Sequence, residues 1–595
     1  MSHRQFVLVL TLLVFSTSLS PMIIVGESLQ DTTIDITIAY THDLHSHLYS
    51  SWTGTECSGG MTLLSTKIQE LRALRPTLLF DCGDIISGGG VNDINNGLPM
   101  VEVMNTIGYD AMALDNHEFD PGTPALKAMI NAADFELLSA NVDWPGNPKP
   151  LPYSIETIAG YDIGVIGLST SFWYAPDEVT FADQVTSVNN AVTDLQGQGI
   201  DFIILLGCLS TSIASSVTGI DLLVKAGGSV QTIGNTLVVP SVGSYANGLG
   251  ILDLTIDTTT GTIDSYDFSA PSLGAPLDPD ETIVSMIDIW NAPLSSYLDE
   301  AFGYFDSYQS TGSLGVMMAE AILRFTEADV GTYNSGGVRE AINRGFITYR
   351  DLHHTEPFFN YVATVDLKGS DVTSVIGSNY YYTEITSFDP DTWYTVASSN
   401  FSVTFFERTY TSGAVNRQDY PSETVVDTFA SYLTNEYTIM RSDLLSVIDD
   451  CMSSVSSLPN SYMFGGTAST LRDMISNQLG YARNAMETND DLDTIDHLST
   501  AIDLIDVHVS VSCPVRWLNT NLENIIDILD VSISSTFSSP PKSITSPTTT
   551  ETSIHPPPDA HPLSPWSLVV VVELLILATV IVYYFGLIDK LRSRS

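Results

Sequence analysis

Basic residues are scarce in this chain: 22 Lys and Arg stand against 70 Asp and Glu in 595 residues, a formal net charge of −48 at pH 7. A surface so short of cations has no basic face for a polyanion, which excludes nucleic acid as a partner on electrostatic grounds. Cysteine is scarce too, and the five residues are odd in number, so at least one is unpaired or pairs between chains. Cys451 and Cys513 lie in one late segment and are expected to bridge if the compartment is oxidising. Long apolar runs are confined to the two ends. Arg4 followed by "FVLVLTLLVF" has the layout of a secretory signal, expected over 1–28. The apolar stretch 566–588 is long enough for one transmembrane helix, and the basic stretch "DKLRSRS" (589–595) would be its cytoplasmic tail. The ends therefore predict a single-pass protein of the cell membrane, partnered by the bilayer through one C-terminal helix, with a large extracellular N-terminal region.

A chain of this length exceeds one hydrophobic core and is expected to divide. From the signal to about residue 275, β-branched apolar runs alternate with polar loops and amphipathic helices, as in "IDITIAY" before "THDLHSH" and "TLLF" before "DCGD". That alternation predicts an α/β domain over 29–275, with its ligand site where strands end. After a linker over 276–299, a second α/β domain is expected over 300–440. Over 441–535 the apolar spacing becomes helical and predicts a bundle, with a protein partner as one use for it. Residues 536–565 are rich in Pro, Ser and Thr and should form an extended stalk.

The strand-end loops collect metal-type ligands. "THDLHSHL" offers Asp43, His45 and His47; "FDCGDIISGGG" offers Asp84 among glycines that permit close backbone approach; "DAMALDNHEFD" offers Asp115, Asn116, His117, Glu118 and Asp120. Carboxylates, imidazoles and an Asn carbonyl suit divalent Zn, Mn or Fe, as one or two ions. In this order the loops resemble the calcineurin-like metallophosphoesterases, and more closely the 5′-nucleotidase family. "ECSGGMTLLSTKIQELRALRPTLLFDCGDIISG", "MNTIGYDAMALDNHEFDPG" and "LLSANVD" carry the resemblance, and "NSGGVREAINRGFITYRDLHHTEPF" resembles the opening of the family's C-terminal domain.

The resemblance implies a metallophosphoesterase-like αββα sandwich followed by a shortened 5′-nucleotidase C-terminal domain. It assigns Asp43 and His45 to a first metal, Asp84 to the bridge and Asn116 to a second metal. His117, oriented by Asp120, becomes the acid beside the leaving oxygen, while Arg339 and Asn334 contact a nucleotide or other phosphate ester. Two expected imidazoles are absent: the chain has Cys208 after "DFIILLG" and Gly227 in "KAGGSVQT". Cys208, Asp115 or His47 would be the replacement ligand. Phe401, Phe405 or Phe406 either stack on a base or pack in the strand core. Two readings follow: a nucleotide-type phosphoesterase with an incomplete second metal site, or an inactive member kept as a surface binding or structural module.

Overall fold

The computed structural model describes residues 33–537 apart from 54, 225–227, 411–412, 464–465 and 510. Its first unit is two six-stranded sheets face to face. One runs, edge to edge, Thr262–Ser269, Gly250–Asp257, Thr33–Thr41, Thr77–Asp81, Ala111–Ala113 and Glu136–Leu138. The last four of these strands are parallel to one another, and Gly250–Asp257 pairs antiparallel with Thr33–Thr41. The other sheet has Tyr161–Gly167, Phe202–Leu206, Leu222–Val224 and Thr236–Val239 in parallel, with an antiparallel strand on each edge.

Alternation along the strands sends residues to opposite faces. Ile36, Ile38, Tyr40, Leu78 and Phe80 meet Ile163, Val165, Phe202 and Ile204 in one core between the sheets. Outside the first sheet, Ala39, Leu79 and Met112 pack with helices Gly60–Leu74 and Leu98–Ile107. Outside the second, Ile203 and Leu205 pack with helix Gln184–Gly197. Helix, sheet, sheet, helix is the layering the resemblance implies. Because the central strands are parallel, the loops after Thr41, Asp81 and Ala113 emerge at one edge, which is where a ligand site forms.

The second unit is a five-stranded mixed sheet in the order Tyr380–Tyr382, Val330–Tyr333, Trp393–Ser399, Tyr361–Lys368 and Val415–Thr424. Helices Thr311–Thr326 and Val425–Glu436 cover one face; Gly369–Ile376 and Asn400–Thr409 cover the other. Four helices then follow, Arg441–Ser457, Ala468–Glu487, Asp491–His508 and Ser512–Phe537. Their buried residues share a core cluster with the outer helices of the first unit. Polar contacts reinforce that seat: Arg516 stands 3.5 Å over the Tyr49 ring and binds Asp288 at 2.7 Å, and Asn524 joins Asp299 O and Ala301 N.

Two expectations are corrected. No helix among the described residues is long and apolar enough to cross a membrane. Ser512–Phe537 has the length, but Asn519, Asn521, Glu523, Asn524, Asp527 and Asp530 interrupt it, leaving an apolar stripe that faces protein rather than lipid. The expected transmembrane element of the fold class, the membrane as partner and the cell-membrane localisation are corrected to that extent: no described helix supplies a span, and segments 1–28, 538–565, 566–588 and 589–595 lie outside the described residues. The expected Cys451–Cys513 bridge is absent, as both cysteines are free. The Cys513 thiol instead neighbours that of Cys57, because the last helix packs on the first unit.

Candidate active site

The corner is built by backbone closure before any ligand is considered. Strand Ala111–Ala113 is wholly buried beside Thr77–Asp81, so the loops that follow these strands are held side by side. Glu118, fully buried, accepts the backbone N–H groups of Asp84 at 3.1 Å, Ile85 at 2.8 Å and Asp115 at 2.8 Å. Asp84 in turn accepts the His117 N–H at 3.0 Å. Gly83 sits at φ 102, and a Cβ there would lie 2.7 Å from Asp115 N. At Gly88 a Cβ would lie 2.3 Å from the His45 carbonyl oxygen. The glycines of "DCGDIISGGG" thus permit the approach that brings three loops into contact.

Ligand atoms of His45, Asp84 and His117 converge within 4.8 Å of one another, and all three residues are buried. His45 Nδ1 lies 3.0 Å from the Ile86 carbonyl oxygen, to which only an N–H can bond. Its Nε2 therefore carries the lone pair and faces the cluster, the tautomer an ion requires. Burial brings the His45 pKa down to about 4, against the pull of Asp84 and with a further push from Arg339 and His117. His117 behaves differently. Burial lowers it, but the 2.6 Å bond from Nδ1 to Asp120 and the charges of Asp84 and Asp120 raise it to about 9. Asp120 is itself held by the Ser87 hydroxyl at 2.5 Å. The two imidazoles, 5.1 Å apart, are thus biased to opposite states, one neutral and one protonated.

The other residues singled out from the sequence are spread around this point. Asp43 adjoins the loop, but its Oδ2 meets His42 Nδ1 at 2.8 Å and is not one of the converging atoms. Asn116 lies beside His117 and donates its amide to the Tyr174 hydroxyl at 2.8 Å. Cys208 is exposed and joins neither group of converging ligands among the described residues. Gly227 lies outside the described residues. Asp115 Oδ1 caps the Asn116 N–H at 3.0 Å. His47 turns away from this corner, its Nε2 2.6 Å from Glu340.

Arg339 arrives from the second unit, its Nη2 2.9 Å from His45 Nε2. It borders a cavity of about 510 Å³ shared by both units, along with His117, Asn334, Phe358 and Phe401. Asn334 Oδ1 accepts the Ser402 hydroxyl at 3.1 Å. Phe358 stacks on His117 with centroids 5.8 Å apart and lies 5.9 Å from the Arg339 guanidinium. Phe401 contacts Trp173 and Tyr174, Phe405 lies on Trp173, and Phe406 is buried in the core. Sequence reasoning names Glu118 only as one more possible ligand in "DNHEFD", not as the acceptor that closes the corner, and it misses Tyr174 and Phe358, which have no signal before the units meet.

The His45 imidazole, its lone pair fixed inward, and the buried Asp84 carboxylate form an N/O pair that suits a divalent cation, with His117, kept protonated by Asp120, beside them as a proton donor. Comparison with known proteins adds a lineage. The family description "5′-nucleotidase, C-terminal domain" matches residues 299–405. The 5′-nucleotidase of Homo sapiens is 30% identical over 403 residues, covering 56% of this chain and 70% of that protein. That of Rattus norvegicus is 29% identical over 405 residues, with the same coverages. The solved structure of a 5′-nucleotidase precursor from Thermus thermophilus has a TM-score of 0.62 at 20% identity, covering 68% of this chain and 97% of that one, a likeness of fold.

Proposed function

The chain belongs to the 5′-nucleotidase family, and from that premise we propose that it hydrolyses phosphate esters of nucleotide type with one firmly held divalent ion. The observation that carries the reading is the convergence of His45, Asp84 and His117 beside Arg339, with His117 and Arg339 lining a cavity shared by two units. A bound ion would supply a polarised phosphate oxygen and an activated water. His45 and Asp84 would hold it, and Asp43, now bonded to His42, would be the third ligand. His117, with Nδ1 tied to Asp120, presents its Nε2–H to the leaving oxygen and supports the charge developing there. Arg339 offers a planar guanidinium to the phosphate. Phe358 and Phe401 offer aromatic faces to a base. The second metal position has Asn116 and Asp84 but no third described ligand, so a second ion would be weakly held.

One observation favours an inactive binding module instead: Arg339 donates to the very His45 lone pair that the ion needs. A guanidinium there supplies the positive charge without the Lewis acid. Metal analysis of the full chain, with hydrolysis of AMP and of p-nitrophenyl phosphate, separates the two. The enzyme reading expects bound metal, hydrolysis lost in Asp84→Asn, a raised KM for AMP in Arg339→Ala, and a lowered kcat with metal retained in His117→Ala. No hydrolysis of either ester in the metal-supplemented chain would leave the module reading standing.

A further inference from the structure

Two residues beyond His45, the ring of His47 leaves the corner and meets the second unit. Its Nε2 lies 2.6 Å from Glu340 Oε1, and the same oxygen lies 3.8 Å from His354 Nδ1. The two rings stand at 90° with centroids 5.5 Å apart. One ligand atom from each of the three residues falls within 4.8 Å of the other two. The residues come from separate places: His47 from the loop after Thr33–Thr41, Glu340 from the segment before strand Gly345–Thr348, and His354 from helix Tyr349–Thr355.

The backbone fixes Nδ1 of His47 as a protonated nitrogen, which leaves Nε2 as the atom through which the ring would bind a metal. Its Nδ1 lies 2.7 Å from the His45 carbonyl oxygen and 3.2 Å from that of Leu44, and both contacts require an N–H. In the neutral ring Nε2 therefore has the lone pair, and a backbone carbonyl behind a ligating imidazole is the usual support for that tautomer. Tyr245 fixes the ring plane by stacking on it at 4.2 Å.

We propose that His47, Glu340 and His354 form a second divalent-cation site, of the class that takes Zn²⁺ on two imidazoles and a carboxylate, and that the ion clips the second unit to the catalytic loop. The geometry is close to what such an ion needs. Bonds of about 2.0–2.1 Å in a tetrahedral site keep ligand atoms roughly 3.3 Å apart. The His47–Glu340 contact would open by about 0.7 Å and the Glu340–His354 distance would close by about 0.5 Å, movements within reach of side-chain rotation. A fourth position remains for water.

The consequence lies one residue away. Arg339 precedes Glu340, and the two side chains divide between the clusters, the guanidinium to His45 and the carboxylate to His47. An ion that pins Glu340 also sets where the segment bearing Arg339 stands over the first cluster. It acts by positioning and touches no substrate. Without an ion the same residues would be an ion pair bridged by a proton, and metal content distinguishes the two.

The test uses the full chain, stripped with a chelator, equilibrated with Zn²⁺ alone and desalted. Asp84→Asn, which keeps an acceptor for the His117 N–H, is expected to retain about one Zn²⁺ per chain from this second site. Adding Glu340→Gln or His354→Gln should remove that ion, and either change in the otherwise unaltered chain should lower its zinc content by about one ion. Co²⁺ in place of Zn²⁺ should give visible absorption that disappears with the same two substitutions. Since Glu340→Gln keeps the side-chain shape, circular dichroism controls for folding, and Zn²⁺ should raise the melting temperature of Asp84→Asn but not of Asp84→Asn with Glu340→Gln. A zinc-free Asp84→Asn chain, or zinc content unmoved by both Glu340→Gln and His354→Gln, overturns the proposal. Hydrolysis is not read, so failure here is distinct from failure at Asp84.

Discussion

Replacing Glu118 with alanine removes the acceptor of three buried backbone donors, Asp84 N, Ile85 N and Asp115 N. Each buried donor left without a partner costs about 1–3 kcal/mol, and water entering the vacated space recovers part of it, so the expected loss is on the order of 3–6 kcal/mol. Glu118→Gln is the graded control. Its single carbonyl oxygen can keep the two bonds now made by Oε2, to Asp84 N and Asp115 N, but its NH₂ then faces the Ile85 N–H that Oε1 now satisfies. One lost bond corresponds to about 1–3 kcal/mol. Buried Trp144, edge-on to Phe119 at 6.2 Å, reports from next to this turn. Urea unfolding followed by tryptophan fluorescence should place Glu118→Gln between wild type and Glu118→Ala. Zinc affinity should fall in the same order, by roughly tenfold for each 1.4 kcal/mol that reaches Asp84. A Glu118→Ala chain with an unchanged unfolding midpoint and unchanged zinc affinity would refute the view that this carboxylate builds the corner.

Two further outcomes follow from buried groups. Glu356 is buried and accepts from the Tyr333 hydroxyl at 2.7 Å and the Asn360 amide at 2.8 Å; burial raises its carboxyl to about 7 from the usual 4.5. The raised value means that the folded chain holds this proton more tightly, so its stabilisation is full below about pH 4.5 and is lost as pH rises through about 7. Melting temperatures measured from pH 5 to 8 should fall in wild type, and the fall should shrink in Glu356→Gln; equal slopes would refute the assignment. For the cysteines, a mild thiol oxidant should join Cys57 to Cys513 and leave Cys451 as a thiol, which peptide mapping without reduction would detect. Recovery of a Cys451–Cys513 peptide would contradict the packing of the last helix on the first unit.

The sequence by itself determined the layers and the inventory of the site. Alternating apolar runs such as "IDITIAY" and "DFIILLG" bury as strands wherever they fall, and parallel strands place the following loops at one edge. His45, Asp84, Asn116 and His117 were therefore legible as neighbours from local pattern and family resemblance. What each side chain faces is a long-range property and was not legible. His45 and His47 share one loop and one residue type, yet Arg339 lies against the first ring and Glu340 against the second, from a segment almost 300 residues later. Cys513 has Cys57 as its neighbour rather than Cys451, although Cys451 is far closer in the sequence. Glu118 reads as one more acid in "DNHEFD" until the adjacent strand brings the Asp84 and Ile85 N–H groups to it. Periodicity is written along the chain, and so it decides which residues are buried. Only tertiary packing, by bringing distant donors and acceptors within hydrogen-bonding distance and shutting out water, decided the partner, the tautomer and the charge of each group.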